Sequence, residues 1–272
     1  MPRQFVALVL AADRRIPDPV ALAAGVACKA LAPVGGRAMI LRVLKALRAS
    51  TRIGAIIICG PDRAAIRTCA ELESCIETGE ISWVEHRGSP TRSTEAAFAR
   101  VAAGAPILLT TADHALLRSE IVDYFLEQAE ESGADAAIGL IDATQLQNAF
   151  PGVRRTVFKL RGGGVRNCNL FALMTPRGRE LVALWRQVEQ QRKRPWRLIA
   201  GLLGIDTVLP YLLRRLTLAA LLERVSSRLQ IRIQPVMLPY PEAGIDVDTP
   251  ADLALARARA DSASPMSVSP PI

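Results

Sequence analysis

Two acidic segments, far apart in the chain, carry residues suited to holding a divalent cation. Asp113 follows the apolar run 106–109, so we expect its carboxylate at the end of a strand, with a helix cap or a turn as the alternative. Asp246 and Asp248 alternate in an extended segment, where side chains two residues apart point the same way. Carboxylates and phosphate oxygens together form an all-oxygen site, which suits Mg²⁺ or Mn²⁺. These carboxylates are therefore candidate ligands of a divalent cation, which would suit a phosphorylated ligand.

Basic residues near the N-terminus are candidates for holding the negative charge of such a ligand. Arg14 follows the first apolar run, and Lys29 precedes the segment Pro33 to Met39. A triphosphate needs backbone N–H groups and cationic side chains around it. Lys29 supplies a point charge for a phosphate, and its alternative is a solvated surface lysine.

A turn between a strand and a helix offers further polar contacts. Gly88, Arg92 and Ser93 lie where the predicted helix 93–103 begins. The start of a helix presents free N–H donors and the positive end of the helix dipole. The alternative is an ordinary capped loop, in which Ser93 caps its helix.

The elements that position these residues alternate along the first half of the chain. Apolar runs predict strands, and apolar residues at helical spacing predict helices. The predicted strands are 5–10, 53–59, 81–84, 106–109 and 136–141, and the helices are 38–49, 63–72, 93–103 and 117–131. Repeated strand–helix units favour a mostly parallel sheet, and ligands of such sheets bind at the carboxyl ends of the strands.

The pattern changes after residue 150. Strands are predicted at 153–160 and 169–173, around the glycines 162–164, followed by a largely helical segment at 177–229. One more strand, 231–237, and a helix, 250–260, complete a single domain of residues 1–260. The Ser- and Pro-rich tail 261–272 is predicted to be disordered.

Composition excludes several classes of protein. Half of the 272 residues are apolar and only 4% are aromatic, which favours helices packed on a sheet. Five cysteines without CxxC spacing and two histidines argue against zinc and disulfides, and indicate a reducing cytoplasm. The net charge of +8 is spread along the chain without interleaved aromatics, so nucleic acid is not an expected partner. The apolar stretch 198–213 is too short to span a membrane.

Two motifs carry a resemblance to a known family. Lys29 followed by Pro-Val-x-Gly-Arg-x-Met at 33–39 opens a helix, and Asp-Val-Asp-Thr-Pro-x-Asp-Leu stands at 246–253. With the strand-end Asp113, these motifs resemble the MobA-like nucleotidyltransferase superfamily. That group includes the molybdenum-cofactor guanylyltransferases and the sugar- and polyol-phosphate cytidylyltransferases.

The resemblance implies a fold, a reaction and a set of site residues. The fold is α/β and Rossmann-like (GT-A type), a mostly parallel mixed sheet flanked by helices, with a helical insertion at about 177–229. The reaction is Mg²⁺-dependent transfer of NMP from an NTP to a phosphorylated small molecule with release of pyrophosphate, CTP being favoured and GTP next. The implied residues are Lys29, Arg14 and Asp113 for catalysis; Ala11, Ala12, Arg14, Lys29, Gly88, Arg92 and Ser93 for the nucleotide; Asp113 and Asp248 for the metal; and Asn167 and Asn169 for the acceptor.

The chain also departs from the family pattern. The family's loop after the first strand is glycine-rich, whereas this chain has Ala-Ala-Asp-Arg-Arg at 11–15 and its first glycine at Gly25. A non-catalytic nucleotide-binding relative is therefore one alternative, and a glycosyltransferase of similar fold is another. In the segment 192–222, basic residues and Trp196 adjoin an apolar helix, so contact with a membrane surface is the alternative to plain packing.

Overall fold

The structure is a computed structural model that describes residues 3–13, 17–153, 156–190, 210, 213 and 215–262. These residues form an eight-stranded mixed sheet with helices on both faces, and a separate two-stranded hairpin, β2–β3. The strands are β1 Phe5–Leu10, β2 Pro33–Val34, β3 Arg37–Ala38, β4 Ile53–Cys59, β5 Ser82–Val84, β6 Ile107–Thr111, β7 Ala136–Asp142, β8 Phe158–Leu160, β9 Gly163–Leu173 and β10 Ile233–Met237. The helices are α1 Pro19–Ala24, α2 Met39–Ala49, α3 Arg63–Ile66, α4 Ala70–Glu77, α5 Pro90–Phe98, α6 Ser119–Glu131, α7 Ala143–Ala149, α8 Pro176–Gln190, α9 Leu218–Leu229 and α10 Pro250–Ser262, with 3₁₀ turns at Lys29–Leu31 and Pro241–Gly244.

The sheet has the order β10-β7-β9-β6-β1-β4-β5, with β8 paired to the start of β9. Neighbours run parallel except around β9, which is antiparallel to β6, β7 and β8. The predicted α/β fold with a mostly parallel mixed sheet is therefore confirmed. The carboxyl ends of β1, β4, β5 and β6 share one edge of the sheet, which is where the candidate residues lie.

The alternation of side chains along the strands builds two cores. Ala7, Val9 and Leu108 face one side, in the large cluster that contains buried residues of α2 and α6. Leu8 and Leu109 face the other side, against buried residues of α5 and α8. Because both faces are covered, these strands are apolar at almost every position rather than at alternate ones.

Two predicted helices differ from the observed ones. The predicted helix 63–72 is divided into α3 and α4, because the hydroxyl of Thr68 donates to the carbonyl of Ala65 and competes with the helical bond there. The predicted helix 93–103 instead runs from Pro90 to Phe98. It begins earlier because the hydroxyl of Ser89 accepts from the N–H of Arg92. Ser93 therefore lies inside α5 and is not its cap.

The second half of the chain departs further from prediction. Helix α7 was not predicted, although Asp142 caps it by accepting from the N–H groups of Thr144 and Gln145. Strand β8 is shorter than the predicted 153–160, and β9 begins at Gly163, within the predicted glycine turn. The last helix runs to Ser262, so the first two residues of the predicted tail are helical. Residues 263–272 and most of 191–214 lie outside the described residues.

Candidate functional site

The ends of four strands meet at the carboxyl edge of the sheet. The N–H of Ala11, after β1, donates to the carbonyl of Cys59 in β4 at 3.0 Å, and the N–H of Ala112, after β6, donates to that of Leu10 at 2.9 Å. The N–H of Gly60 donates to the carbonyl of Val84. The backbone hydrogen bonds between neighbouring strands thus continue one residue beyond the strands. They fix where the loops that form the site begin.

Gly60 allows the loop after β4 to approach the loop after β1. Its backbone has φ +75°, and a Cβ there would lie 3.0 Å from the Cβ of Ala12 and 3.1 Å from its nitrogen. Only glycine combines this left-handed conformation with so close a contact. The glycine-poor segment 11–13 is therefore supported by a glycine from the neighbouring strand.

A lysine and two aspartates meet at the centre of this edge. The Lys29 ammonium (Nζ) lies 2.7 Å from an oxygen of Asp113 and 3.0 Å from an oxygen of Asp248. The other oxygen of Asp113 accepts from the hydroxyl of Thr111 at 2.5 Å. The side chains of Lys29 and Asp113 are 17% and 14% exposed, whereas that of Asp248 is 60% exposed. Asp113 and Asp248 lie 84 and 219 residues after Lys29 in the sequence, and both bind its ammonium.

Lys29 and the two aspartates stabilise one another in their charged forms. Burial raises the pKa of Asp113, but Lys29 and then Thr111 outweigh it and hold that pKa below its usual range. Burial likewise lowers the pKa of Lys29, and the two carboxylates outweigh it and raise that pKa. The lysine is cationic and Asp113 anionic at neutral pH, so the position between the carboxylates favours positive charge.

The backbone at Lys29 is held by the acidic residue of the first loop. Both carboxylate oxygens of Asp13 accept from the N–H of Lys29, at 3.0 and 3.1 Å. Burial raises the pKa of Asp13, and the hydrogen bond from Lys29 opposes that shift. Asp13 thus orients the 3₁₀ turn that carries Lys29.

Asp248 lies in a segment that is attached on both sides. The N–H of Val247 donates to the carbonyl of Asp113 at 3.0 Å. The buried carboxylate of Asp252 accepts from the N–H groups of Asp248 and Thr249 and from the Thr249 hydroxyl, within 3.1 Å. Asp252 lies in the first turn of α10 and fixes the backbone of Asp248 there.

The turn before α5 is ordered by its serines. The hydroxyl of Ser93 donates to the carbonyl of Ser89 and accepts from the N–H of Arg87, both at 2.9 Å. On the same side, His86 Nε2 lies 2.7 Å from a carboxylate oxygen of Asp62. These contacts fix the conformation of the turn, which forms one wall of the site.

Together these loops enclose a cavity of about 710 Å³. Seven predicted site residues line it: Ala11, Ala12, Lys29, Gly88, Ser93, Asp113 and Asp248. The volume lies in the range of small-molecule sites, roughly 300–1,000 Å³. Among the described lining residues, the carboxylates of Asp13, Asp18, Asp113 and Asp248 outnumber the ammonium of Lys29.

Other predicted residues lie elsewhere. The exposed Arg92 is on α5 and does not appear among the described residues of the cavity wall. Asn167 accepts from the N–H of Asn169, and the Asn169 amide donates to Asp246 at 3.1 Å, so both amides have partners within the protein. Arg14 lies outside the described residues.

Other residues of the site were not predicted from the sequence. Asp18 lines the cavity and caps α1, accepting from the N–H groups of Val20 and Ala21. Asp followed by Pro at the first helical position is a signal that was present in the sequence. Thr111 and His86 belong to the site only through their position at strand ends.

His114, next to Asp113, is buried away from the cavity. The residue is 1% exposed and lies beside the backbone of Glu242 and Ala243. Burial lowers the pKa of His114 to about 4, against the opposing effect of Asp113. The ring is neutral at neutral pH and acts as a packing group.

The lysine and the two carboxylates lie at the carboxyl edge of a Rossmann-like sheet, where α/β proteins of this class bind their ligands. The chain belongs to the MobA-like NTP transferase domain family, whose model matches residues 7–221, and its enzyme class is that of the nucleotidyltransferases. No curated protein matches the chain.

Solved structures of transferases share the fold. A hypothetical transferase from Thermus thermophilus is 32% identical with a TM-score of 0.75, over 92% of this chain and 99% of its own. A CMP:2-keto-3-deoxy-manno-octonic acid synthetase complexed with CTP is 13% identical with a TM-score of 0.58, over 95% and 99%. A 4-diphosphocytidyl-2C-methyl-D-erythritol synthase from Anaerococcus prevotii is 11% identical with a TM-score of 0.56, over 95% and 99%. At 13% and 11% identity the likeness shows the fold alone.

Proposed function

We propose that this enzyme transfers a nucleoside monophosphate from an NTP, CTP before GTP, to a phosphorylated small molecule, with release of pyrophosphate and dependence on Mg²⁺ or Mn²⁺. The observation that carries the proposal is the Lys29 ammonium bridging Asp113 and Asp248 at 2.7 and 3.0 Å. It marks a position at the strand ends where two carboxylates converge on a positive charge.

The residues present fit a divalent cation. Asp113 and Asp248 each offer a carboxylate oxygen to one point, and phosphate oxygens of a nucleotide would complete the hard, all-oxygen set that Mg²⁺ prefers. The ion would neutralise charge at the α-phosphate. The described wall of the cavity also needs such a cation, since it carries more carboxylates than ammonium groups and would repel a bare triphosphate.

The protein's own residues have separable roles in this proposal. Lys29 moves its ammonium from the carboxylates to a phosphate oxygen and stabilises the charge that develops there. Asp13 holds the backbone of Lys29 during that movement. The acceptor oxygen attacks the α-phosphorus, the bond to the bridging oxygen breaks, and pyrophosphate leaves with the electron pair. Positioning and electrostatics supply the acceleration, without a covalent intermediate.

The preference for CTP is supported by the turn before α5. Gly88, Ser89 and Ser93 line the cavity at the N-terminal end of that helix. One fold neighbour is complexed with CTP, and another is named as a diphosphocytidyl synthase. Asn167 and Asn169 are the proposed acceptor residues, and both side chains also have hydrogen-bond partners within the protein.

The proposal also covers the cellular location of the enzyme and its partners. All five cysteines are free thiols, which supports a cytoplasmic enzyme. No described helix is long and apolar enough to cross a membrane. The proposed membrane-surface contact at 192–222 lies largely outside the described residues. A domain of residues 1–260 and binding of small molecules rather than nucleic acid complete the proposal.

A thermal-shift panel of CTP, GTP, ATP and UTP, with Mg²⁺ or with EDTA, tests the proposal on the wild type and on Asp113→Asn. One NTP should raise the melting temperature of the wild type only with metal, and much less in Asp113→Asn, because a ligand that binds the folded state stabilises it. Glu120→Gln, an exposed change of equal charge on α6, is the matched control.

Turnover is then measured with that NTP as pyrophosphate release, over a panel of sugar phosphates and polyol phosphates. Metal-dependent binding without turnover would favour the non-catalytic alternative. Absence of any nucleotide-dependent shift in the wild type would refute the proposed function.

A further inference from the structure

Behind the proposed metal site lies a buried ionic network, formed by Arg166 and Asn169 of β9 and by Asp246. The Arg166 guanidinium donates to the carbonyl of Gly244 at 2.9 Å and to a carboxylate oxygen of Asp246 at 2.6 Å. The Asn169 amide donates to the other oxygen of Asp246 at 3.1 Å. The side chains of Arg166 and Asp246 are only 11% and 13% exposed. We refer to these three residues as the Arg166 network.

Strand β9 is distorted where it contributes to this network. Its register with β7 shifts between the pairs Ile138–Phe171 and Leu140–Asn167, so that three residues of β9 oppose one residue of β7. Asn169, in the middle of these three, has φ +53°, a conformation that non-glycine residues seldom adopt. Its N–H is held by the side chain of Asn167. A bulge of this kind redirects a side chain, here towards Asp246.

The network acts on the segment that carries Asp248. Arg166 bonds two residues of that segment, Gly244 and Asp246, just before the contact of Val247 with the carbonyl of Asp113. Asp248 itself is 60% exposed, so packing of its own side chain does not determine where it lies. Its position relative to Asp113 depends on backbone contacts on either side of it.

We infer that Arg166 and Asn169 are positioning residues that act through Asp246 to hold Asp248 at the separation from Asp113 that the metal requires. The inference rests on the proposed metal-dependent function. Burying an arginine and an aspartate contributes little net stability, because desolvation offsets their attraction. A role in positioning accounts for a strained asparagine and a buried pair at this place. Groups that orient metal ligands from behind typically change metal affinity by about 10- to 100-fold when mutated.

The test compares three variants by the Mn²⁺ concentration that gives half of the maximal thermal shift at saturating CTP. Arg166→Met removes both hydrogen bonds that Arg166 donates, to the carbonyl of Gly244 and to Asp246, and we expect its Mn²⁺ requirement to rise about 10-fold or more. Asn169→Gly removes one hydrogen bond while tolerating the positive φ, and we expect a rise of a few-fold. This milder variant decides the matter if Arg166→Met does not fold.

Arg52→Met is the matched control. Arg52 is similarly buried, at 13% exposure, and pairs with Glu130 and Glu127 beside the start of β4, at the end of the sheet away from the site. Its loss should lower the melting temperature without changing the Mn²⁺ requirement. Binding of CTP at saturating Mn²⁺, measured by calorimetry, should be equal in all variants, because none of the three network residues is among the described residues that line the cavity.

The outcomes separate the two proposals. If Asn169→Gly and Arg166→Met keep the Mn²⁺ requirement of the wild type, or change it only as Arg52→Met does, the positioning role is wrong while the metal site stands. If the wild type itself shows no metal-dependent shift with CTP, GTP, ATP or UTP, the proposed function fails and the positioning role fails with it.

Discussion

Replacing Lys29 with methionine tests the electrostatics of the site most directly. Methionine keeps much of the length of the lysine stem but removes the ammonium that lies between Asp113 and Asp248. Two carboxylates then face each other without a cation. Removing one partner of a buried pair costs about 3–5 kcal/mol, and an exposed pair contributes about 0–1 kcal/mol. The site is intermediate, since Asp113 is largely buried while the cavity admits water.

We therefore expect Lys29→Met to lose about 2–3 kcal/mol of unfolding free energy in EDTA, or about 5–10 °C in melting temperature. A divalent cation should restore much of this loss, since a ligand at 100 times its Kd stabilises the folded state by about 2.7 kcal/mol. In the wild type the same ion has to displace the ammonium. Mn²⁺ alone should thus stabilise the variant more than the wild type, although the variant's transfer rate falls by about 10²- to 10³-fold.

The assay is differential scanning fluorimetry of the two proteins in EDTA and in millimolar Mn²⁺, without nucleotide. Lys45→Met is the control, because Lys45 is exposed on α2 and away from the cavity. An equal Mn²⁺ shift in wild type and Lys29→Met would show that the ammonium does not occupy the cation position, and the reasoning about Asp113 and Asp248 would be wrong.

Three further predictions concern the elements around the site. The pKa of His114 is about 4 in the folded chain and ordinarily 6.5, so the unfolded chain binds more protons between these two pH values. The free energy of unfolding should therefore fall by up to about 3 kcal/mol as the pH decreases from 6.5 to 4. In urea titrations, His114→Leu should remove this dependence on pH. Gly60→Ala should cost more stability than Gly79→Ala, since both glycines have φ +75° but only at Gly60 does the new methyl meet Ala12; equal losses by urea titration would contradict this. Asp252→Ala should cost about 1–2 kcal/mol by removing the acceptor at the start of α10, and a change under about 0.3 kcal/mol in the same titration would refute that role.

The strands and most of the helices were predictable because their signals are local. The continuous apolar runs at 5–10 and 53–59 give β1 and β4 with the predicted bounds, and the apolar spacing at 38–49 gives α2 within one residue. Where local signals compete, prediction failed. The side chain of Thr68 ended α3, and the serine of residue 89 rather than that of residue 93 began α5.

The sequence by itself determined which residue types stand at the strand ends. A run that is buried on both faces must be apolar, so the polar residues after it mark the edge of the sheet, and Asp113 was selected on that ground. Lys29 and Asp248 were selected by their motifs. The family followed from the order of the motifs.

Tertiary structure alone decided which of these residues meet. The contacts of Lys29 with Asp113 and Asp248 span 84 and 219 residues of sequence, and no local pattern encodes such a distance. The same holds for the contact of the Asn169 amide with Asp246, which spans 77 residues of sequence. A bulge in β9 turns that side chain, and the register that creates the bulge is set by pairing between strands rather than by the residues of one strand.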